Sequence, residues 1–348
     1  VKRYRVGVVG ATGYGGAESV RLLARHPGVE LTYISSETYV GQRLDAVLPG
    51  FTGFTDLVCE AFDPEVAAAR CDAVFLARTD AGWSMQVVRP LLDAGLKVVD
   101  FSADFRFKDP SVYSQWYKRP HAATDLMDEA AYGIPELWRD QISSARLVGN
   151  PGCYPTGALL ALAPLARRGL ARDIAISAAS GVSGAGRSKI TLDYHYPEAN
   201  ESARPYGVAG HRHRPEIEQG LSMLSGQKHT ISFVPHLIPM TRGIVTTAFV
   251  GLAEPLEQAA LEAIYQEEYA AERFVHVLTG VATPDTKHVL GSNNCHVAVV
   301  AEPRTNRAIV MSAIDNLTKG QAGQAVQCLN AMLGMPEASG LDMPSLYP

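Results

Sequence analysis

Two hydrophobic rhythms divide the chain. In the first, short apolar runs alternate with stretches of helical spacing. Residues 5–10 read as a strand and residues 14–25 as a helix carrying Ala17, Val20, Leu22 and Leu23 on its apolar face. Strands follow at residues 29–34, 73–77 and 98–100, with a helix at residues 84–94. This alternation predicts parallel βαβ units joined by right-handed crossovers. In the second rhythm the strand-like runs are residues 174–178, 230–234, 243–250, 294–300 and 308–314, with longer connections and one clear helix at 255–271. That spacing predicts a mostly antiparallel or mixed sheet with helices on one face. Residues 315–333 carry a further amphipathic helical pattern, expected to return to the first region. Residues 196–215, polar and rich in Pro and Gly, predict a long loop of the kind that often carries function.

Length and composition narrow the class. At roughly 150 residues per domain, 348 residues with 47% apolar content suggest two domains, each with a sizeable core. Charged residues are 19% of the chain and the net charge is -5. Nothing in that balance favours nucleic acid or an anionic membrane, so a small-molecule partner is expected. The opening V-K-R-Y-R-V-G-V-V-G places basic residues before apolar ones, but the apolar run stops at Gly10 and reads as a strand rather than a secretory segment. Five cysteines, odd in number and without a C-x-x-C pair, argue against a disulfide framework or a zinc site and fit a reducing cytoplasm.

The first candidate chemistry lies at G-A-T-G-Y-G-G (residues 10–16), between the first strand and the first helix. Gly10 suits a tight turn, and Gly13 allows close approach of a pyrophosphate to the helix N-terminus. Thr12, Tyr14 and Gly15 complete this candidate dinucleotide loop. The second strand ends in Ser35 and Ser36, with Arg43 further on. Hydroxyls and a cation there suit a 2′-phosphate and favour NADP, whereas Glu37, if turned inward, would hold the ribose of NAD.

The most specific local signal is G-N-P-G-C-Y-P-T-G-A-L-L-A-L (residues 149–162). Turn-forming residues precede Cys153 and an apolar helical run follows, which places the sulfur at a helix N-terminus where the dipole favours a thiolate. Pro155 is tolerated only in the first turn of that helix. Cys59, Cys71, Cys295 and Cys328 lie in ordinary apolar contexts and are expected to be structural. G-H-R-H-R-P-E-I (residues 210–217) supplies His211, His213 and Glu216. If extended, it would put both imidazoles on one face, with Glu216 orienting one of them for proton transfer. Arg212 and Arg214 argue against a metal there, and a solvated basic loop is the alternative. S-A-A-S-G-V-S-G-A-G-R-S (residues 177–188) can bring backbone N–H groups to a phosphate, although a linker has similar composition. Arg106, in F-S-A-D-F-R-F beyond a parallel strand, is a candidate for a substrate carboxylate or phosphate, with a surface ion pair as the alternative.

Taken in order, these blocks resemble the N-acetyl-γ-glutamyl-phosphate reductase family of arginine biosynthesis. The similarity runs through G-A-T-G-Y-G-G, S-A-D-F-R, G-N-P-G-C-Y-P-T, S-G-V-S-G-A-G-R, G-H-R-H-R-P-E-I and D-N-L-T-K-G-Q-A-G-Q-A-V-Q (residues 315–327). The resemblance implies the architecture of semialdehyde and glyceraldehyde-phosphate dehydrogenases: an NADP-binding Rossmann domain over residues 1–152, a catalytic and dimerisation domain over 153–314, and a C-terminal helix over 315–348 that returns to the first. It implies NADPH as cofactor, a small acyl-phosphate substrate, Cys153 as acyl acceptor, and a homodimer or homotetramer. His213, His211 and Glu216 would serve acid–base chemistry, with His211, Arg106 and Ser180 binding substrate. Gly184 and Asn316 would contact the cofactor. The resemblance lapses where the family reads L-P-H-G and this chain reads A-R-T-D-A-G (residues 77–82), so cofactor contacts there are not carried over. Three rivals remain open: the lysine-pathway reductase of a carrier-bound aminoadipyl phosphate, a cysteine hydrolase built on Cys153 and His211, and a non-catalytic NADPH sensor.

Overall fold

The computed structural model describes residues 3–347; Val1, Lys2 and Pro348, at the ends of the expected domain ranges, lie outside the described residues. The chain divides into two compact units. One holds the residues up to Pro151 together with Gly186–Ser188 and Gln321–Met343, and the other holds Gly152–Ala185, Lys189–Gly320 and the end of the chain from Pro344.

The first unit is built on six strands: β1 (Tyr4–Val9), β2 (Val29–Ser35), β3 (Ala73–Leu76), β4 (Lys97–Asp100), β5 (Ala131–Tyr132) and β6 (Leu147–Gly149). They lie in the order β2-β1-β3-β4-β6-β5, and every pair is parallel. Val6, Val8, Val74, Phe75, Val98, Val99, Leu147 and Val148 are fully buried. A parallel sheet covered on both faces demands such continuous apolar runs, because crossover helices occupy each side. The helix Gly323–Met332 packs in this unit against helices Tyr14–Leu23 and Pro135–Ser144. It departs from the amphipathic pattern expected for residues 315–333. Residues 318–322 form a wider, π-helical turn, and every residue of the following helix is buried, including Gln324, Gln327 and Asn330. The side-chain N–H groups of all three find internal acceptors. Gln324 donates to the Gly133 carbonyl, and Asn330 donates to the carbonyls of Glu337 and Ser339.

The second unit carries a seven-stranded mixed sheet: β7 (Ala171–Ser180), β8 (Arg204–Pro205), β9 (Ile231–Leu237), β10 (Ile244–Leu252), β11 (Val275–Leu278), β12 (Cys295–Glu302) and β13 (Arg307–Ile314). The order is β11-β12-β13-β10-β7-β9-β8; the pairs β7–β9 and β11–β12 are parallel and the rest antiparallel. In β10, Ile244, Thr246, Ala248 and Val250 are buried, while Phe249 between them is exposed. This period-two alternation marks a sheet with one covered face. Helices Cys153–Arg167, Arg214–Ser225 and Gln258–Tyr269 pack onto this sheet or onto one another in this unit.

One predicted loop is more structured than its composition suggests. Residues 196–215 include the helical turn Tyr196–Ala199 and strand β8, and end inside the helix Arg214–Ser225. Pro215 in that helix's first turn and Gly226, in the left-handed conformation just past its end, are its start and stop signals. Among the described residues, no helix is long and apolar enough to cross a membrane, and no group of three or more His, Cys, Asp or Glu side chains is placed to hold a metal ion.

Candidate active site

The glycine loop of the first unit has the shape a dinucleotide requires. Gly10 sits at φ +81°, a left-handed conformation that glycine adopts without strain. Its N–H and that of Ala11 both donate to the Ser35 carbonyl, which ties the loop to the tip of β2. Gly13 caps the helix Tyr14–Leu23 with no side-chain hydrogen bond. A Cβ at Gly13 would meet only the Gly10 carbonyl oxygen, at 3.5 Å, so the space above it is open. At Gly16 a Cβ would collide with the Gly10 backbone and lie 2.8 Å from the Ala11 Cα, so this glycine permits close helix–strand packing. At Gly15 the corresponding space is filled by the Gln321 side chain, at 2.7 Å. Tyr14 is largely exposed beside the loop. An uncapped helix start with room above its glycine fits a pyrophosphate.

At the ribose end, the Thr12 and Ser36 hydroxyls lie 2.8 Å apart, and both residues are buried, as is Ser35. Arg43 is held by two carboxylates, Asp45 and Asp56, each at 2.7 Å. Glu37 is paired with Arg78 at 3.0 Å, and the Arg78 guanidinium also reaches Asp80 at 3.0 Å and lies over the Trp83 ring. The unusual 77–82 segment is anchored by buried Asp104, which accepts from the Gly82 N–H at 2.8 Å and from the Tyr113 hydroxyl at 2.7 Å. Arg106 is buried in the same unit. Its Nε donates to the Asn150 carbonyl and its Nη2 to the Phe101 carbonyl, both at 2.7 Å, so it braces the backbone leading toward Pro151.

In the second unit, Cys153 is the first residue of the helix Cys153–Arg167, whose cap, Gly152, makes no side-chain hydrogen bond. The first-turn N–H groups and the positive end of the helix dipole therefore meet the sulfur. Cys153 is partly exposed, whereas the other four cysteines are buried. Burial pushes the Cys59 and Cys71 thiols up, which keeps them protonated and inert.

Two features hold the nucleophile's neighbours in place. Buried Glu216 accepts from the Gly152 N–H at 2.8 Å, which fixes the residue before the cysteine. The His213 ring meets Gly152 by its Nε2 edge: a Cβ there would collide with Nε2 and come within 2.8 Å of Cδ2 and Cε1. The extended conformation considered for residues 210–217 is not what the chain adopts. His213 has right-handed dihedrals (φ -81°, ψ -13°) and stands at the start of the helix Arg214–Ser225. The two imidazoles still meet, with ring centroids 4.9 Å apart, because the turn folds them together and His211 Nδ1 accepts from the His213 backbone N–H at 3.1 Å. That bond leaves the proton of neutral His211 on Nε2. Burial, with the charge of Arg212, pushes His211 down to about 4, so it is neutral near pH 7.

Sequence reasoning missed the aromatic wall around these histidines. Tyr154 lies edge-on to His211, His213 and Phe233 at 5.6, 5.9 and 5.4 Å, and its hydroxyl is 2.9 Å from that of Tyr206. Burial raises both tyrosines far above the usual range, so they act as neutral hydrogen-bonding groups. Tyr154 follows the cysteine directly, but nothing local in the sequence announces Tyr206 or Phe233. Gly320, in the π-helical turn, lies against the nucleophile, and a Cβ there would be 2.9 Å from that of Cys153. Ser180 is buried and donates to the Gly181 carbonyl, and Gly184 is exposed beyond it. Asn316 precedes the last helix rather than opening it. Both ends of its amide are engaged, accepting from the Gly243 N–H at 2.7 Å and donating to the Ser183 hydroxyl at 3.0 Å.

A parallel-sheet unit with a glycine loop and a mixed-sheet unit with a helix-start cysteine define an aldehyde-handling dehydrogenase class. Consistent with that, residues 5–145 match the family described as semialdehyde dehydrogenase, NAD binding domain, and residues 153–316 match semialdehyde dehydrogenase, dimerisation domain. The chain belongs to the semialdehyde dehydrogenase family. It is similar to the N-acetyl-γ-glutamyl-phosphate reductase of Desulforudis audaxviator, with 49% identity over 99% of each chain, and to that of Synechocystis, with 46% identity over 100% of this chain and 99% of the relative. Among solved structures, aspartate semialdehyde dehydrogenase II of Vibrio cholerae shares the fold with a TM-score of 0.73 at 15% identity, covering 96% of this chain and 99% of that one. The Candida albicans aspartate semialdehyde dehydrogenase with NADP shares it at 0.69 and 16% identity, covering 96% and 99%.

Proposed function

We propose that this chain is an N-acetyl-γ-glutamyl-phosphate reductase, converting the γ-acyl phosphate to the semialdehyde and inorganic phosphate with NADPH. The observation that carries the reading is the partly exposed Cys153 at an uncapped helix start, with the His213 ring packed on the residue before it. The Cys153 thiolate attacks the acyl carbon, the C–O bond to phosphate breaks with its electron pair leaving on phosphate, and a thioester remains. Bound NADPH supplies the hydride that a thioester, unlike a carboxylate, readily accepts. Reduction leaves a thiohemiacetal on Cys153. Loss of its hydroxyl proton expels the semialdehyde and restores the thiolate. His213 exchanges that proton. His211, neutral and with its proton on Nε2, donates a hydrogen bond to the substrate. Glu216 holds the backbone at Gly152. Arg106 and Ser180 are the further substrate-binding candidates.

On this reading Gly10, Thr12, Gly13, Tyr14, Gly15, Ser35 and Ser36 hold the dinucleotide, with Gly184 and Asn316 on its nicotinamide side. The enzyme works in the cytoplasm, a reducing compartment that suits a thiolate nucleophile. It is a homodimer or homotetramer in which a second copy covers the open sheet face. There Val300, Ile309, Phe249 and Ala175 stand side by side across four strands, with Phe249 42% exposed. The test runs the reaction backwards with NADP, the semialdehyde and inorganic phosphate. NADPH formation that requires phosphate supports the reading; formation equally fast without phosphate overturns it.

A further inference from the structure

Three guanidinium groups gather around the end of β2, and their partners differ. Arg43 is neutralised by Asp45 and Asp56. Arg78 is paired with Glu37 and Asp80. Arg187 is different. Its Nη1 donates to the Thr12 carbonyl at 2.8 Å, its Cζ lies 5.7 Å from the centre of the Tyr39 ring, and among the described residues it has no carboxylate partner. It belongs to the same compact unit as the glycine loop, although it is carried on the glycine-rich stretch beyond β7.

We propose that Arg187 is the residue that reads the 2′-phosphate of NADPH, and so sets the cofactor preference. The proposal rests on the NADPH reading above. The Thr12 carbonyl that anchors Arg187 belongs to the residue whose hydroxyl lies 2.8 Å from Ser36 Oγ. A phosphate beside that pair receives the one O–H that the Thr12–Ser36 bond leaves free, and one uncompensated cation. A guanidinium offers phosphate two parallel N–H donors, a match that ammonium or hydroxyl groups alone lack. Glu37, the residue that would otherwise claim a ribose 2′-hydroxyl, is turned to Arg78. Arg43 would first have to leave two carboxylates. The chain thus places the selecting charge about 150 positions from the strand tip where sequence reasoning looks for it.

The test measures binding of 2′,5′-ADP and 5′-AMP by calorimetry to wild type, Arg187→Gln, Arg187→Lys and Arg43→Gln. These fragments share everything but the 2′-phosphate, and the readout needs no turnover. Wild type should favour 2′,5′-ADP. Arg187→Gln should cut that advantage by about 10- to 100-fold while 5′-AMP affinity stays within about 3-fold. Arg187→Lys should keep part of it, and Arg43→Gln should keep all of it. If Arg187→Gln retains the advantage, or weakens both fragments equally, the assignment to Arg187 is wrong and the NADPH reading still stands. If wild type shows no advantage, the NADPH reading itself fails.

Discussion

The helices Tyr14–Leu23 and Cys153–Arg167 start alike: each follows an extended glycine, Gly13 or Gly152, and neither has a side-chain cap. Both therefore turn the positive end of a helix dipole, with no capping side chain over it, toward an anion. Their surroundings differ. Above Gly13 there is open space, with one protein atom at 3.5 Å from where a Cβ would be. Around Gly152 there is none, because the His213 ring occupies that position and Glu216 accepts the Gly152 N–H. One helix start suits a mobile anion that arrives and leaves, and the other suits an anion that is part of the chain. The same backbone physics is turned to binding or to catalysis by what fills the space next to the cap.

The contrast can be broken hardest at the histidines. His213→Asn should lower kcat by roughly two to four powers of ten and remove a limb of the pH–rate profile. His211→Asn should keep that limb. His211 is held down to about 4 by burial and by Arg212, so it is already neutral near pH 7, and its loss should appear mainly as a raised KM. The opposite pattern, with the limb lost only in His211→Asn, would exchange the two roles.

A smaller effect separates the two glycines directly. Gly152→Ala should lower kcat by roughly 100-fold, because the new Cβ displaces the His213 ring from beside the nucleophile. NADPH binding, measured by fluorescence titration, should be unchanged. Gly13→Ala should do the reverse and more mildly. It has room to fold without strain, so Tm should move little, while NADPH affinity falls by about 10-fold as the methyl group enters the space left for phosphate. Equal losses of binding and turnover in both variants would erase the distinction.

Much of this was legible in the sequence where the signal is local. The alternation of strand and helix up to residue 100, the glycine loop and the turn before Cys153 each specify their own geometry within about ten residues. The helix after His213 was missed although Pro215 and Gly226 mark its ends, because charged, polar residues around the two histidines masked the start signal. The last helix reads as amphipathic because Gln324, Gln327 and Asn330 are polar; they are buried instead, bonded to Gly133, Glu136 and His26, distant segments that no local pattern reveals. Arg43 is an obvious cation near β2 in the sequence, but its pairing with Asp45 and Asp56 is set by the fold. Tyr206, Phe233 and Arg187 reach their places through tertiary folding alone.

The central claim is that the acyl group passes through Cys153, and the direct measurement is the intact mass of enzyme quenched after mixing with acyl phosphate in the absence of NADPH. The account predicts one N-acetylglutamyl adduct per chain, located to the peptide containing Cys153, released on adding NADPH and absent in Cys153→Ala. An unmodified enzyme that nevertheless turns over when NADPH is present, or a Cys153→Ala variant that keeps its activity, would contradict it.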